Sequence, residues 1–136
     1  MRLTRLFPRA VLFAALWLAG CVAVSTVQSR KQERPAAYEA LTPEQRTDVD
    51  QGRIANGMTQ DAVYIAWGHP DRITEGENET GRTVTWSYSG FYTRSYEVWG
   101  SRRPYFAYET VSYPRAHVTF VNGVVKEWQT HTAPGY

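Results

Sequence analysis

The sequence predicts an α+β fold in which two short helices pack on one face of a small antiparallel sheet of three or four strands. Before Pro70 the apolar residues recur at helical spacing, and after it they alternate with a period of two. Near the end of the chain, Asn122-Gly123 joins two apolar runs, which is a strong signal of a β-hairpin. Helices that precede strands along a chain favour separate layers, with the helices covering one side of the sheet.

The first helix is predicted from Thr42 to Gln51. Thr42 can cap the first turn, Pro43 suits the first helical position, and Gln45 is placed to bond back to the cap. Gly52 follows and is expected to end the helix.

The second helix is predicted to begin after Thr59, with Asp61 in the first turn, where a negative charge favours the helix dipole. Gly68 provides the stop, and Pro70 prevents continuation. The apolar residues of this helix fall on one face, which is expected to be buried: Val63, Ala66 and Trp67.

The strands are predicted from the alternating residues that follow. Residues 82–88 alternate cleanly, and 116–121 and 124–130 form the hairpin pair. Residues 71–75 are a candidate fourth strand, and the acidic segment 75–81 is predicted to be an exposed turn. The residues expected to share buried faces are Val84, Trp86 and Tyr88 in one strand and Val118 and Phe120 in another.

The last strand is ambiguous. Strict alternation puts Val125 and Trp128 on opposite faces, so the pattern leaves open which face is buried.

The first twenty residues have the three parts of an export signal. A basic start with Arg2, Arg5 and Arg9 precedes an apolar run over 10–19, which ends in Leu18-Ala19-Gly20-Cys21. The run holds 10 residues, fewer than the roughly 20 that a helix needs to span a bilayer. The sequence therefore predicts a signal peptide over 1–20.

The tetrad Leu18-Ala19-Gly20-Cys21 resembles the lipobox of bacterial lipoproteins. The resemblance implies that the Cys21 thiol is coupled to diacylglycerol and that the chain is cut just before it. Val22 follows instead of aspartate, which in such lipoproteins implies the outer membrane, with the domain facing the periplasm. The alternative of a buried free cysteine is disfavoured, because nothing in this segment is typical of a globular core. Cys21 is the only cysteine, so no intramolecular disulfide can form.

The chain after the signal has the length of one domain. The whole chain has 15 Lys and Arg, three of them in the signal, against 13 Asp and Glu, so the remainder is near neutral. A balanced charge argues against a nucleic-acid partner, which needs a basic face. Residues 21–40 show no sustained periodicity and are predicted to be a lipidated flexible tether, the alternative being a segment that orders on a partner. Residues 41–136 form the folded domain.

Three stretches carry a resemblance to a family. The segment 54–63 with Gly57-Met58-Thr59, then Trp67-Gly68-His69-Pro70, then Trp86-Ser87-Tyr88 resembles the SmpA/OmlA (BamE-like) outer-membrane lipoprotein domain. The likeness spans about residues 50–130 and implies the same α+β fold, no cofactor, and a place among accessory factors of the β-barrel assembly machinery. The helix from Thr42 and the longer, more aromatic region before Tyr113 depart from that family's pattern.

That aromatic insertion covers about residues 91–113. Tyr, Trp and Arg are the types enriched at interface hot spots, and amphipathic rings also suit a membrane–water boundary. The segment is therefore a candidate contact surface for a protein partner, peptidoglycan or lipid headgroups. The alternative is a long hairpin whose rings stack across strands, with Gly100 to Pro104 as its tip. The candidate binding residues are Tyr96, Trp99, Arg102, Arg103, Tyr105 and Phe106.

An enzyme needs a constellation of reactive groups, and the sequence predicts none: no catalytic residue, metal site or cofactor. His69 precedes a proline in the helix-stop turn, where a capping or surface role is expected. His117 and His131 can meet across the last hairpin, but two histidines alone make a weak metal site. The sequence thus predicts a non-catalytic binding or scaffolding lipoprotein of the cell envelope. The alternatives are a lipoprotein that binds peptidoglycan and one that inhibits a periplasmic enzyme.

Overall fold

A computed structural model describes residues 25–100 and 103–134 of the chain. Helices precede strands, and the strands form one antiparallel sheet in the order β1-β2-β3-β4, so the predicted α+β class is confirmed. The predicted signal peptide and Cys21 lie outside the described residues. The elements are α1 (Val27–Glu33), α2 (Pro35–Glu39), α3 (Pro43–Asp50), α4 (Gln60–Trp67), β1 (Arg72–Asn78), β2 (Gly81–Trp99), β3 (Pro104–Val121) and β4 (Val124–Thr130).

The two predicted helices are confirmed as α3 and α4, with the predicted caps. The Thr42 hydroxyl accepts from the Gln45 amide while the Gln45 side chain accepts from the Thr42 amide, which is a complete capping box. The Thr59 hydroxyl accepts from the Ala62 amide at the start of α4. Gly68 follows α4 with a φ of 86°, a conformation that glycine adopts without strain.

The prediction of a flexible tether is wrong for residues 27–39, which form α1 and α2. Thr26 and Ser29 make a second capping box at the start of α1, and Pro35 occupies the first position of α2. Both helices pack against α4, and Arg30 of α1 is buried. The amphipathic period was missed because α1 buries an arginine where the pattern expects an apolar residue.

The sheet buries the face predicted for it. Trp86 packs edge to face on Phe120, with ring centroids 4.9 Å apart, in the layer between sheet and helices. The prediction that 75–81 is a turn is wrong in extent, because β1 continues to Asn78 and only Glu79 and Thr80 form the turn. The cross-strand pair Arg82–Glu75, at 2.6 Å, supports this longer hairpin.

A β-bulge resolves the ambiguity of the last strand. Val118 pairs with Trp128 and Phe120 pairs with Val125, so one extra residue, Lys126, stands in β4 between the two pairs. Residues directly opposite each other point to the same face, and Val125 and Trp128 therefore both lie on the helix side of the sheet. Val125 is 2% exposed, whereas Trp128 is at the edge and 42% exposed.

Trp67 is half-buried and closes the core beside the sheet. Its ring packs edge to face on Tyr88 at 5.5 Å and on Trp128 at 6.2 Å, and its indole N–H donates to the Gly52 carbonyl at 2.8 Å. The prediction that Trp67 belongs to the core is confirmed in these contacts, which connect the end of α3 to the sheet.

Candidate functional site

The two middle strands continue beyond the four-stranded sheet as a two-stranded ribbon. Pairing with β1 ends at Ser87, and pairing with β4 ends at Ala116. We call residues 89–99 and 104–114 the ribbon; among the described residues, their ladder partners are each other alone. At about 3.3 Å per residue the ribbon is roughly 33 Å long. The predicted long hairpin is thus present.

A second bulge marks the root of the ribbon. Tyr88 pairs with Ala116 and Ser89 pairs with Pro114, which leaves Arg115 as the extra residue. The Ser89 amide donates to an Asp71 carboxylate oxygen at 2.5 Å. A bulge bends a strand and increases its twist, and this one does so where the ribbon leaves the sheet.

Next to this bulge, Gly90 leaves room for an aromatic ring. A Cβ on Gly90 would lie 2.5 Å from the Tyr113 ring, so the ring covers the glycine. Tyr113 also packs edge to face on Tyr92, with centroids 6.0 Å apart. The stacking of rings across strands, which was the alternative for this segment, therefore occurs at its proximal end.

Further along the ribbon, large rings face solvent. They are between 48% and 78% exposed, with Trp99 the most exposed of them. Monomeric soluble proteins rarely expose large contiguous apolar patches, and the patches that they do expose are often interaction sites. The exposed ribbon rings are Phe91, Tyr96, Trp99, Tyr105, Phe106 and Tyr108.

The strand register places the predicted binding residues in the distal half of the ribbon. Trp99 pairs with Pro104 and Glu97 with Phe106, so the rings of Trp99 and Phe106 are diagonal neighbours on one face.

The other predicted residues lie close by. Tyr96 pairs with Ala107 and Tyr105 with Val98, which puts both tyrosines on the opposite face. Arg103 is exposed beside the tip, and Arg102 lies outside the described residues. The distal half thus carries rings on both faces.

The charges of the ribbon are mostly balanced. The Arg94 guanidinium donates twice to the Glu109 carboxylate, at 3.0 and 3.1 Å, across the strand pair. This hydrogen-bonded carboxylate raises the pKa of Arg94 above its ordinary value. Arg103 adds a positive charge near the tip, and Glu97 a negative one.

At the start of the described chain, a buried arginine connects α1 to α4. Arg30 is 6% exposed, and its guanidinium donates to the carbonyls of Ile65 at 2.8 Å and Ala66 at 3.0 Å. It also donates to the Ser25 carbonyl at 2.8 Å. The Ile65 and Ala66 carbonyls belong to the last turn of α4, where a cation is favoured by the helix dipole. Arg30 thereby fixes both α1 and Ser25 to the end of α4.

Three further contacts secure the same helix pair. The Tyr64 hydroxyl donates to a Glu33 carboxylate oxygen at 2.6 Å, and the Arg34 guanidinium lies 3.9 Å from the Tyr64 ring centroid. Arg34 also pairs with Asp61. Sequence reasoning missed Arg30 and these partners. The signals that could have found them are the Thr26–Ser29 spacing and Pro35, which together indicate two helix starts.

Helix α4 relates the ribbon to the start of the described chain. Its first end lies beside the β3–β4 turn, where Thr59 bridges Val124. At its other end the Gly68 carbonyl accepts from the Tyr88 hydroxyl at 3.1 Å, and Tyr88 is the last residue of β2 before the ribbon. Arg30 binds the last turn at that same end. The start of the described chain and the root of the ribbon therefore lie at one end of the domain.

Two of the three histidines lie next to each other, and the third is separate from them. His117 and His131 meet across β3 and β4, with ring centroids 5.9 Å apart, and His117 Nδ1 lies 3.2 Å from the Ser87 hydroxyl. His69 is exposed in the turn after α4. Within residues 25–100 and 103–134, no three His, Cys, Asp or Glu side chains are grouped as a metal site would require.

Of the helices in the described part of the chain, none is long and apolar enough to cross a membrane. Comparison of the sequence with protein-family models, with curated proteins and with solved structures finds no match. The resemblance to the SmpA/OmlA family therefore stays a prediction.

Proposed function

We propose that this chain is a lipid-anchored, non-catalytic binding module of the bacterial cell envelope. The observation that carries the proposal is the ribbon, a long projection whose distal half exposes aromatic rings, with Arg103 exposed beside its tip. Rings of this kind contribute most to binding when a partner covers them. The lipid on Cys21 would hold the module at the outer membrane, with the domain in the periplasm.

A scaffolding role suits the rest of the domain. The core residues of α4 and the sheet pack against one another. The hydrogen bond from the Tyr88 hydroxyl to the Gly68 carbonyl connects the sheet to the end of α4. The proposal involves no cofactor and no nucleic acid. In its more specific form, which comes from the resemblance, the chain is an accessory factor of the β-barrel assembly machinery.

The test is a cross-linked pull-down of the full chain from its native membranes. The matched variants are Cys21→Ala, which removes the proposed lipid site, and Tyr96→Ala/Trp99→Ala/Arg103→Ala, which removes three predicted contacts. Ile73→Ala is the control, because Ile73 is an exposed apolar residue on β1, away from the ribbon.

Recovery of barrel-assembly components that is lost in the Cys21 variant and unchanged in the Ile73 variant would support an assembly factor. Recovery of peptidoglycan, or of a periplasmic hydrolase, would assign the module to cell-wall binding or to enzyme inhibition instead. A triple variant that folds and recovers the same material as the native chain would rule out the ribbon as the contact surface.

A further inference from the structure

The link between the proposed anchor and the folded domain is short. Ser25 is the first residue that the structure describes, and the Arg30 guanidinium donates to its carbonyl at 2.8 Å. Three residues lie between Cys21 and Ser25, and the four residue-to-residue steps, at about 3.5 Å each, span at most roughly 14 Å. A lipid on Cys21 would therefore keep the domain close to the bilayer, which a flexible tether of twenty residues would not do.

The ribbon leaves the domain at the same end. Ser25 and Tyr88 are both tied to the C-terminal end of α4, through Arg30 and through the Gly68 carbonyl. The ribbon, at roughly 33 Å, is more than twice as long as the fully extended link. A ribbon that stood upright on the bilayer would lift the domain beyond the reach of the anchor, so it has to meet the surface obliquely.

The chemistry of the distal half suits a bilayer interface. Trp99, Tyr105 and Tyr96 are amphipathic rings, the type that concentrates where headgroups meet acyl chains. Phe106 adds an apolar ring beside Trp99, and Arg103 can reach lipid phosphates while its stem stays among the rings. The rings lie on both faces of the ribbon, which matches insertion into a fluid layer better than docking of one face on a fixed protein surface.

We propose that the distal half of the ribbon, residues 96–99 and 104–108, inserts together with Arg103 into the headgroup region of the bilayer that holds the proposed lipid anchor. The inference rests on the proposed lipidation of Cys21. It names the phospholipid surface as the partner that the ribbon contacts. The lipid and the ribbon then form two attachments that fix the orientation of the domain at the membrane. One acyl-modified residue alone would leave the domain free to rotate.

The experiment measures the depth of Trp99. The full chain, purified from membranes, is reconstituted into phosphatidylcholine vesicles with brominated or unmodified acyl chains. Bromine quenches tryptophan only at close range, and tryptophans at the interface lie at headgroup level, so an inserted Trp99 should lose emission in the brominated vesicles. Trp99→Phe isolates this part of the signal, and Trp128→Phe is the matched control on β4.

Quenching that vanishes in Trp99→Phe and persists in Trp128→Phe would support the proposal. Equal emission of Trp99 in both kinds of vesicle would overturn it. The mass of the N-terminal peptide separates the two proposals. An unmodified Cys21 would overturn both, whereas a lipidated Cys21 with an unquenched Trp99 would overturn only the insertion of the ribbon.

Discussion

Replacing Arg30 with alanine should release α1 from the domain and cost much of its stability. The change leaves the carbonyls of Ile65 and Ala66 without their charged donor in a buried setting. An unsatisfied buried acceptor costs about 1–3 kcal/mol, and part of this is offset because the guanidinium no longer has to be desolvated. We therefore expect a loss of about 3 kcal/mol. Arg30→Lys, with one compact ammonium, should lose about half as much.

Urea unfolding of the full chain, followed by tryptophan fluorescence and by circular dichroism, measures this loss. For a domain of this size the midpoint should fall by roughly 2 M. Lys31→Ala is the control, because Lys31 is the next residue and makes a partly exposed ion pair with Asp50 at 2.8 Å. Such a pair contributes about 0–1 kcal/mol. If Arg30→Ala shifted the midpoint no more than Lys31→Ala, and proteolysis left α1 as resistant as before, the role given to Arg30 would be wrong.

Four further substitutions test the core and the ribbon. Burial raises the pKa of the Tyr88 phenol above its ordinary 10.0, so the unfolded chain ionises first. The contribution of Tyr88 to the free energy of unfolding is therefore fully present below about pH 10 and is lost as the pH rises above it. In Tyr88→Phe the unfolding midpoint should fall less steeply with pH than in the native chain. Phe120→Ala, at a fully buried position, should cost about 4 kcal/mol by urea unfolding. The exposed Phe91→Ala should change stability by less than about 0.5 kcal/mol, and equal losses would contradict the assigned core. Gly90→Ala should keep the fold while displacing the Tyr113 ring, seen as a shift of its NMR signals; an unmoved ring would refute the close approach.

The sequence predicted those parts of the fold that local chemistry determines. The Thr42 and Thr59 caps, the Gly68 stop and the Asn122-Gly123 turn each depend on neighbouring residues, and each occurs as expected. Helix α1 was missed because its stability comes from Arg30, whose partners lie 35 and 36 residues away. No periodicity within a segment can show such a contact.

Bulges limited the prediction in a second way. Strict alternation assigns Val125 and Trp128 to opposite faces, and the extra residue in β4 brings them to one. A bulge depends on how two strands pair, so neither strand shows it alone. The exposed rings of the ribbon could be named from the sequence, because residue type suggested an interface. Their position relative to Ser25 could not, since it follows from the contact of Arg30 with the Ser25 carbonyl.

The ribbon exposes two strand edges as well as its aromatic rings. Its edges carry residues that discourage the addition of another strand, whereas its rings are exposed to solvent. An unpaired edge invites another strand to add to it, which proline, charge and bulges discourage. Pro104 and Pro114 lack the amide that a new strand would need, and Arg94 and Glu109 place charges along the middle of the ribbon. Addition of a strand to these edges is therefore disfavoured, whereas contact through the exposed rings is not. An isolated two-stranded ribbon is only marginally stable in water, so this one has most to gain from a surface that covers Trp99 and its neighbours.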